Sequence, residues 1–117
     1  MDPLQERKLL GLIGLGVRGR GAIVGVQQVR EAARRGKVML AIAAADASSN
    51  SLDKVLPLLK ARGISVVTVP SAVHLGGAAG RETTAVIGIL DKGLAKGIRA
   101  LCAVPEPDVR MERGEQA

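Results

Sequence analysis

The sequence predicts an α/β domain: a parallel or mixed four-stranded sheet with helices on both faces. Three observations carry the prediction. Helix-like and strand-like stretches alternate along almost the whole chain, the pattern that covers a sheet on both sides. Residues 38–45, VMLAIAAA, contain no polar side chain, as a strand buried on both faces requires. The preceding stretch, 25–36, places Val26, Val29 and Ala33 on one helical stripe and Gln27, Gln28, Arg30, Glu31, Arg34 and Arg35 on the other face.

In chain order, Asp2 and Pro3 are a cap followed by a residue suited to a first helical turn, and a helix is expected from Pro3 to about Ile13. Gly14, Gly16, Gly19 and Gly21 are expected to stop it. Ala22–Val24 reads as a short strand. The helix from Gly25 ends at Gly36, which fits a left-handed residue just past a helix end, and Arg34 and Arg35 suit its C-terminal dipole. After the buried strand and Asp46, Ser48, Asn50 or Ser51 caps a short helix. Pro57 is expected to open a second helical stretch to Ala61, with Gly63 as the stop. Ile64–Val69 is a strand, Ser71–Gly80 a small-residue helix, Arg81–Thr84 a polar loop and Ala85–Leu90 a strand. Asp91 then caps a last helix to about Leu101. Residues 1–104 thus form a single domain, and 105–117 are expected to be a disordered charged tail.

Composition narrows the function. The chain of 117 residues has no Phe, Tyr or Trp, so no ring is available for the base stacking used by many single-strand binders. Its apolar runs are shorter than the ~20 residues of a membrane span. The charged start, MDPLQERK, lacks the apolar centre of a secretory signal. A lone Cys102 excludes an internal disulfide framework and a multi-cysteine metal site, which makes a reducing cytoplasm the expected location. No paired-carboxylate or Ser/His/Asp constellation is present, so no enzyme is expected. His74 reads as a helix-surface residue.

Net charge is +6, and Arg18, Arg20, Arg30, Arg34, Arg35 and Lys37 stand between Gly16 and Lys37 against Glu31 alone. An ordinary solvated face accounts for such a cluster. If it instead covers the approach to the helix at Gly25, it favours an anionic partner, above all nucleic acid.

Two motifs compete for the site. Gly14-Leu15-Gly16-Val17-Arg18-Gly19 matches the G-x-G-x-x-G of a dinucleotide fold, with Asp46 as a ribose ligand. Gly21 interrupts the helix that should begin there, and Asp46 falls 27 residues after Gly19 against about 20 in the fingerprint. This reading also requires Leu9–Ile13 to be a central strand.

The second motif set is GVQQVREAARRGKVMLAIAAADAS, LPLLKARGISVVTVPS and LGGAAG, in that order. It resembles the L-seven-Ae/L-thirty-e ribosomal protein family, nearest its small bacterial YlxQ-type members, over about residues 9–99. The resemblance implies a three-layer α/β/α sandwich with a four-stranded mixed sheet. It also implies binding of structured RNA, in particular kink-turns, which are duplexes bent sharply at a bulge beside tandem G·A pairs. On this reading Gly25 lets the helix N-terminus approach the RNA, and Gln27 and Gln28 stand where relatives carry base-reading Asn and Glu. Ser48 and Leu52 align with further contacts. The loop Arg81, Glu82, Thr83, Thr84 to Val86 aligns with the segment that covers the bulge. Glu31 replaces a usual phosphate-contacting Lys and Arg30 a usual Thr, so Arg30 is a candidate substitute for the missing charge; Lys37 completes the set. The resemblance implies a ribosomal setting, with ribosomal proteins as further partners and no cofactor. A protein-interaction module of the same fold is the alternative function, and the dinucleotide-binding fragment the third.

Overall fold

The computed structural model describes residues 1–105. Five helices, α1 (Pro3–Arg18), α2 (Val26–Arg34), α3 (Ser49–Ala61), α4 (Ala72–Ala78) and α5 (Lys92–Cys102), alternate with four strands, β1 (Ala22–Val24), β2 (Leu40–Ala44), β3 (Val66–Val69) and β4 (Val86–Ile89). The sheet order is β1-β4-β2-β3. β4 is antiparallel to both neighbours, with Ala22 and Leu40 each opposite Ile89, while β2 and β3 are parallel. The sheet is therefore mixed, and the expected order of nine elements is the observed one. Of the tail expected to be disordered, 105–117, all but Pro105 lies outside the described residues.

Strand alternation sends successive side chains to opposite faces. Leu40, Ile42, Ile87 and Ile89 pack with Leu9 and Ile13 of α1, Leu75 of α4 and Ile98 of α5. Ala41 and Val86 pack on the other side with Val29 and Ala33 of α2 and Val55 and Leu59 of α3. Every residue of β2 is buried, which is why its sequence carries no polar side chain. The result is a three-layer α/β/α sandwich.

Two local expectations are corrected. The first helix does not stop at Ile13 but runs to Arg18, with Gly14 and Gly16 buried inside it. A Cβ on Gly14 would lie 3.2 Å from the Ala78 carbonyl oxygen, and one on Gly16 would run into Leu94 Cδ2. These glycines let α1 settle against α4 and α5. That packing offsets the roughly 1 kcal/mol each costs in helix propensity. Likewise Ser49–Ala61 is one helix with Pro57 inside it. Pro57 is exposed, while Val55 and Leu59 on either side of it are fully buried in the same cluster. Both halves are thus held to one core despite the lost backbone hydrogen bond.

Because β1, β2 and β3 all run opposite to β4, their C-terminal ends and the start of β4 share one end of the sheet. The junctions into α2, α3 and α4 and the loop 79–85 lie there, at what we call the near end. The junctions out of α1, α2 and α3, and the start of α5, lie at the far end.

Candidate functional site

At the near end, Gly25 is the N-cap of α2 at φ 102°, ψ 154°, a conformation open in practice only to glycine. Its N–H donates to the Val86 carbonyl at 3.0 Å, and its carbonyl accepts from Val29 N–H at 3.0 Å. α2 is thereby tied to the start of β4. Gly88 lets it lie close to the sheet, since a Cβ there would be 3.3 Å from Val29 Cγ2.

The other four helices are capped by side chains: Asp2 accepts from Gln5 N–H, Ser48 from Ser51, Ser71 from His74 and Asp91 from Leu94. α2 has no side-chain cap. The N–H groups of its first turn, at Val26, Gln27 and Gln28, are left pointing out with the positive end of the helix dipole. The Gln27 and Gln28 side chains are exposed on that turn. Arg30, one turn on, is half-buried, and its Nε is buried without a hydrogen-bond partner.

The loop after α4 is built against α4 and tied to the same β4 residue as this helix start. Arg81 N–H donates to the Gly76 carbonyl at 2.8 Å and Thr84 N–H to the Ala72 carbonyl at 3.1 Å. A Cβ on Gly76 would sit 2.5 Å from Thr83 Cα, so glycine is what allows the loop to lie on α4. Thr84 Oγ1 donates to the Val86 carbonyl at 3.3 Å, the same oxygen that receives Gly25 N–H. One acceptor therefore registers loop and helix together. Arg81, Glu82 and Thr83 are exposed, whereas Thr84 is 9% exposed and Val86 has no exposed surface. Thr84 and Val86 thus shape the loop from beneath rather than presenting side chains. Ser48 caps α3 at the same end with Leu52 half-buried one turn on.

The remaining expected residues fall elsewhere. Glu31 is exposed and pairs with Arg35 at 3.3 Å. Lys37 lies beyond the C-terminus of α2, exposed, with its N–H on the Ala32 carbonyl at 3.0 Å. The basic cluster read between Gly16 and Lys37 is divided in space. A nine-residue helix spans about 13 Å, so Arg34, Arg35 and Lys37 stand at the far end of α2. Arg18 and Arg20 precede β1, also at the far end. Only Arg30 remains near the α2 N-terminal turn, which corrects the expectation that the cluster covers that turn.

The dinucleotide reading is overturned. Leu9–Ile13 is helix rather than central strand, and Gly14 and Gly16 pack against other helices. Asp46 Oδ1 accepts the Ala72 N–H at 2.7 Å, so it holds the start of α4. His74 is exposed, with Nδ1 3.4 Å from Glu6 Oε2. Among the described residues no group of His, Cys, Asp or Glu is arranged to hold a metal ion, and no helix is long and apolar enough to cross a membrane. Burial raises the pKa of the Cys102 thiol, which disfavours the reactive thiolate.

Fold and site define a small α/β/α domain that presents an uncapped helix start beside a loop pinned to a neighbouring helix. The chain belongs to the ribosomal protein L7Ae/L30e/S12e/Gadd45 family, whose profile matches residues 7–99. It is similar to a solved protein of unknown function from Bacillus halodurans, with 34% identity, 82% of this chain and 97% of that chain covered, and a TM-score of 0.75. It shares its fold with a Giardia lamblia 15.5kD RNA binding protein, with 22% identity, 86% and 92% coverage and a TM-score of 0.71. No curated protein matches.

Proposed function

We propose that this protein is a non-enzymatic, cytoplasmic RNA binder that docks the first turn of α2 into structured, kink-turn-like RNA, in association with the ribosome. The observation that carries the reading is the uncapped helix start at Gly25, with Gln27 and Gln28 exposed on its first turn. Unpaired N–H groups and the helix dipole favour phosphate there. A glutamine amide both donates and accepts, so it can satisfy a guanine edge. The loop of Arg81, Glu82 and Thr83 leads through Thr84 to the Val86 carbonyl that also holds the turn, and it is the segment assigned here to accepting or refusing an extruded nucleotide. Membership of a ribosomal protein family and the RNA-binding character of the Giardia protein both support the reading.

The test is titration of wild type and Gln28→Ala against a kink-turn RNA and a straight duplex of equal length. The exposed Gln28 contributes nothing to the core, so folding should be unchanged. Kink-turn binding should weaken by about 1–3 kcal/mol, by analogy with bidentate base contacts in DNA, while duplex binding stays the same. Equal affinity of the wild type for both RNAs, with no selective loss in the variant, would sink the kink-turn assignment.

A further inference from the structure

The far end of the sheet carries a concentration of charge that the near-end site does not use. α2 and α3 run in the same direction, so their C-termini lie together, and Arg62 Nη1 donates to the Arg34 carbonyl across them at 3.1 Å. Arg34, Lys37, Lys60 and Arg62 are all exposed within these two junctions. Glu31, one turn back, is engaged with Arg35, and Asp91 at the same end caps α5 by accepting Leu94 N–H at 2.7 Å. Arg18 and Arg20 add to the same end through the junction into β1. Two helix C-termini supply only about half a negative charge each, less than the cations gathered over them.

The chemistry of the patch selects its partner. Cores of protein interfaces are enriched in aromatic and apolar side chains and in arginine, but depleted in lysine, and this patch pairs its arginines with two lysines and no aromatic residue. Among the described residues, the exposed large hydrophobic residues Met1, Leu4, Leu15 and Val73 all belong to the N-terminus, α1 or α4, on the opposite face from α2 and α3. At the edge strand β3, Lys60 borders a groove lined by Leu56, Ile64 and Val66, but Arg34, Lys37 and Arg62 lie outside it, and such a surface of flexible cations suits a regularly spaced polyanion backbone.

We infer that Arg34, Lys37, Lys60 and Arg62 form a second RNA-binding surface, which holds the phosphate backbone of a separate duplex segment. The near end then reads shape and the far end holds charge, so one molecule joins two RNA segments at opposite ends of its sheet. The inference extends the proposed function but stands on the charge distribution. It requires an RNA partner, not a kink-turn.

The experiment neutralises the far end with Arg34→Gln, Lys37→Gln and Lys60→Gln together, leaving the Arg62 bond in place. Binding to a straight RNA duplex is measured across a salt series, with circular dichroism confirming the fold. Duplex affinity near 0.1 M salt should fall about 10- to 100-fold, and the log–log salt slope should become shallower by about two, at 0.7–0.9 per lost phosphate contact. Native mass spectrometry should show wild type bound to a kink-turn RNA accepting a straight duplex as well, and the triple variant refusing it. Unchanged duplex affinity and slope in the triple variant would overturn the inference, as would strict competition between the two RNAs for one site. If wild type shows no kink-turn preference yet the triple variant still loses duplex binding, the near-end reading fails and the far-end surface stands.

Discussion

The two ends of the sheet are made from the same kind of strand–helix junction, traversed in opposite directions, and they differ in almost every other respect. At the near end, glycines hold backbone in place: Gly25 starts α2, and Gly76 admits the loop that ends at Thr84. Charge there is sparse and mixed, with Arg81 beside Glu82. At the far end the backbone makes ordinary helix stops, with Gly36 and Gly63 at φ 71° and 69°, and the side chains are predominantly cationic. The difference teaches that shape and charge can be assigned to separate surfaces of one small sheet. A defect at one end should then leave the other readable.

The largest expected effect breaks the near end. Gly76→Val places a branched side chain where even a Cβ would be 2.5 Å from Thr83 Cα, and backbone cannot yield as a side-chain tip can. We expect a loss of about 3 kcal/mol in a urea titration followed by circular dichroism, at the upper end of overpacking costs. Kink-turn discrimination should fall with it. Duplex binding, measured where the variant is still folded, should survive.

Gly25→Ala is the next. Nothing lies within 4 Å of the added Cβ, so the penalty is conformational: φ 102° costs a non-glycine residue about 1–3 kcal/mol. If stability is unchanged, the N-terminal turn is not held in that conformation and the argument for its role weakens. Ser48→Ala should cost about 1 kcal/mol through loss of the 3.1 Å bond from Ser51 N–H, again with duplex binding intact.

The smallest change sharpens the far end. Glu31→Gln removes an exposed pair worth about 0.3–0.5 kcal/mol, so the denaturation midpoint should barely move. Duplex affinity at low salt should nevertheless rise, because Arg35 is released and a negative charge is lost. No rise would mean that the duplex does not approach this part of α2.

The sequence stated the order of elements correctly because each is marked locally. Gly36 and Gly63 stop helices, Ser48, Ser71 and Asp91 cap them, and a strand covered on both faces cannot carry polar side chains. It misled wherever a local preference met a tertiary contact. Gly14 and Gly16 break helices in isolation, yet here they are the clearance for Ala78 and Leu94. Pro57 stayed inside a helix because Val55 and Leu59 anchor both sides of it. The candidate site was legible at Gly25, whose backbone needs glycine, and at Gln27 and Gln28, which are exposed. Thr84 and Val86 align with a contact loop, but their side chains are turned inward, and only the strand register reveals that. The basic cluster was the deepest confusion. Residues close in sequence are carried apart by a helix, and Lys60 and Arg62, absent from the sequence reading of the site, are brought in by the parallel run of α3.

The position of β4 has a consequence for the order in which the molecule is assembled. β4 is the last strand along the chain, yet it is the one that joins β1 to the rest of the sheet. β2 and β3 can find each other through a single crossover, whereas β1 must wait for a partner from the far side of the domain. Closing so long a loop is entropically expensive and slow relative to local pairing. The acceptor for Gly25 N–H is supplied by Val86, in that same late strand. During synthesis α2 can therefore wind before it is oriented, and a chain cut short of Val86 should be helical and blind. The proposed docking turn is fixed in place only with the closing strand.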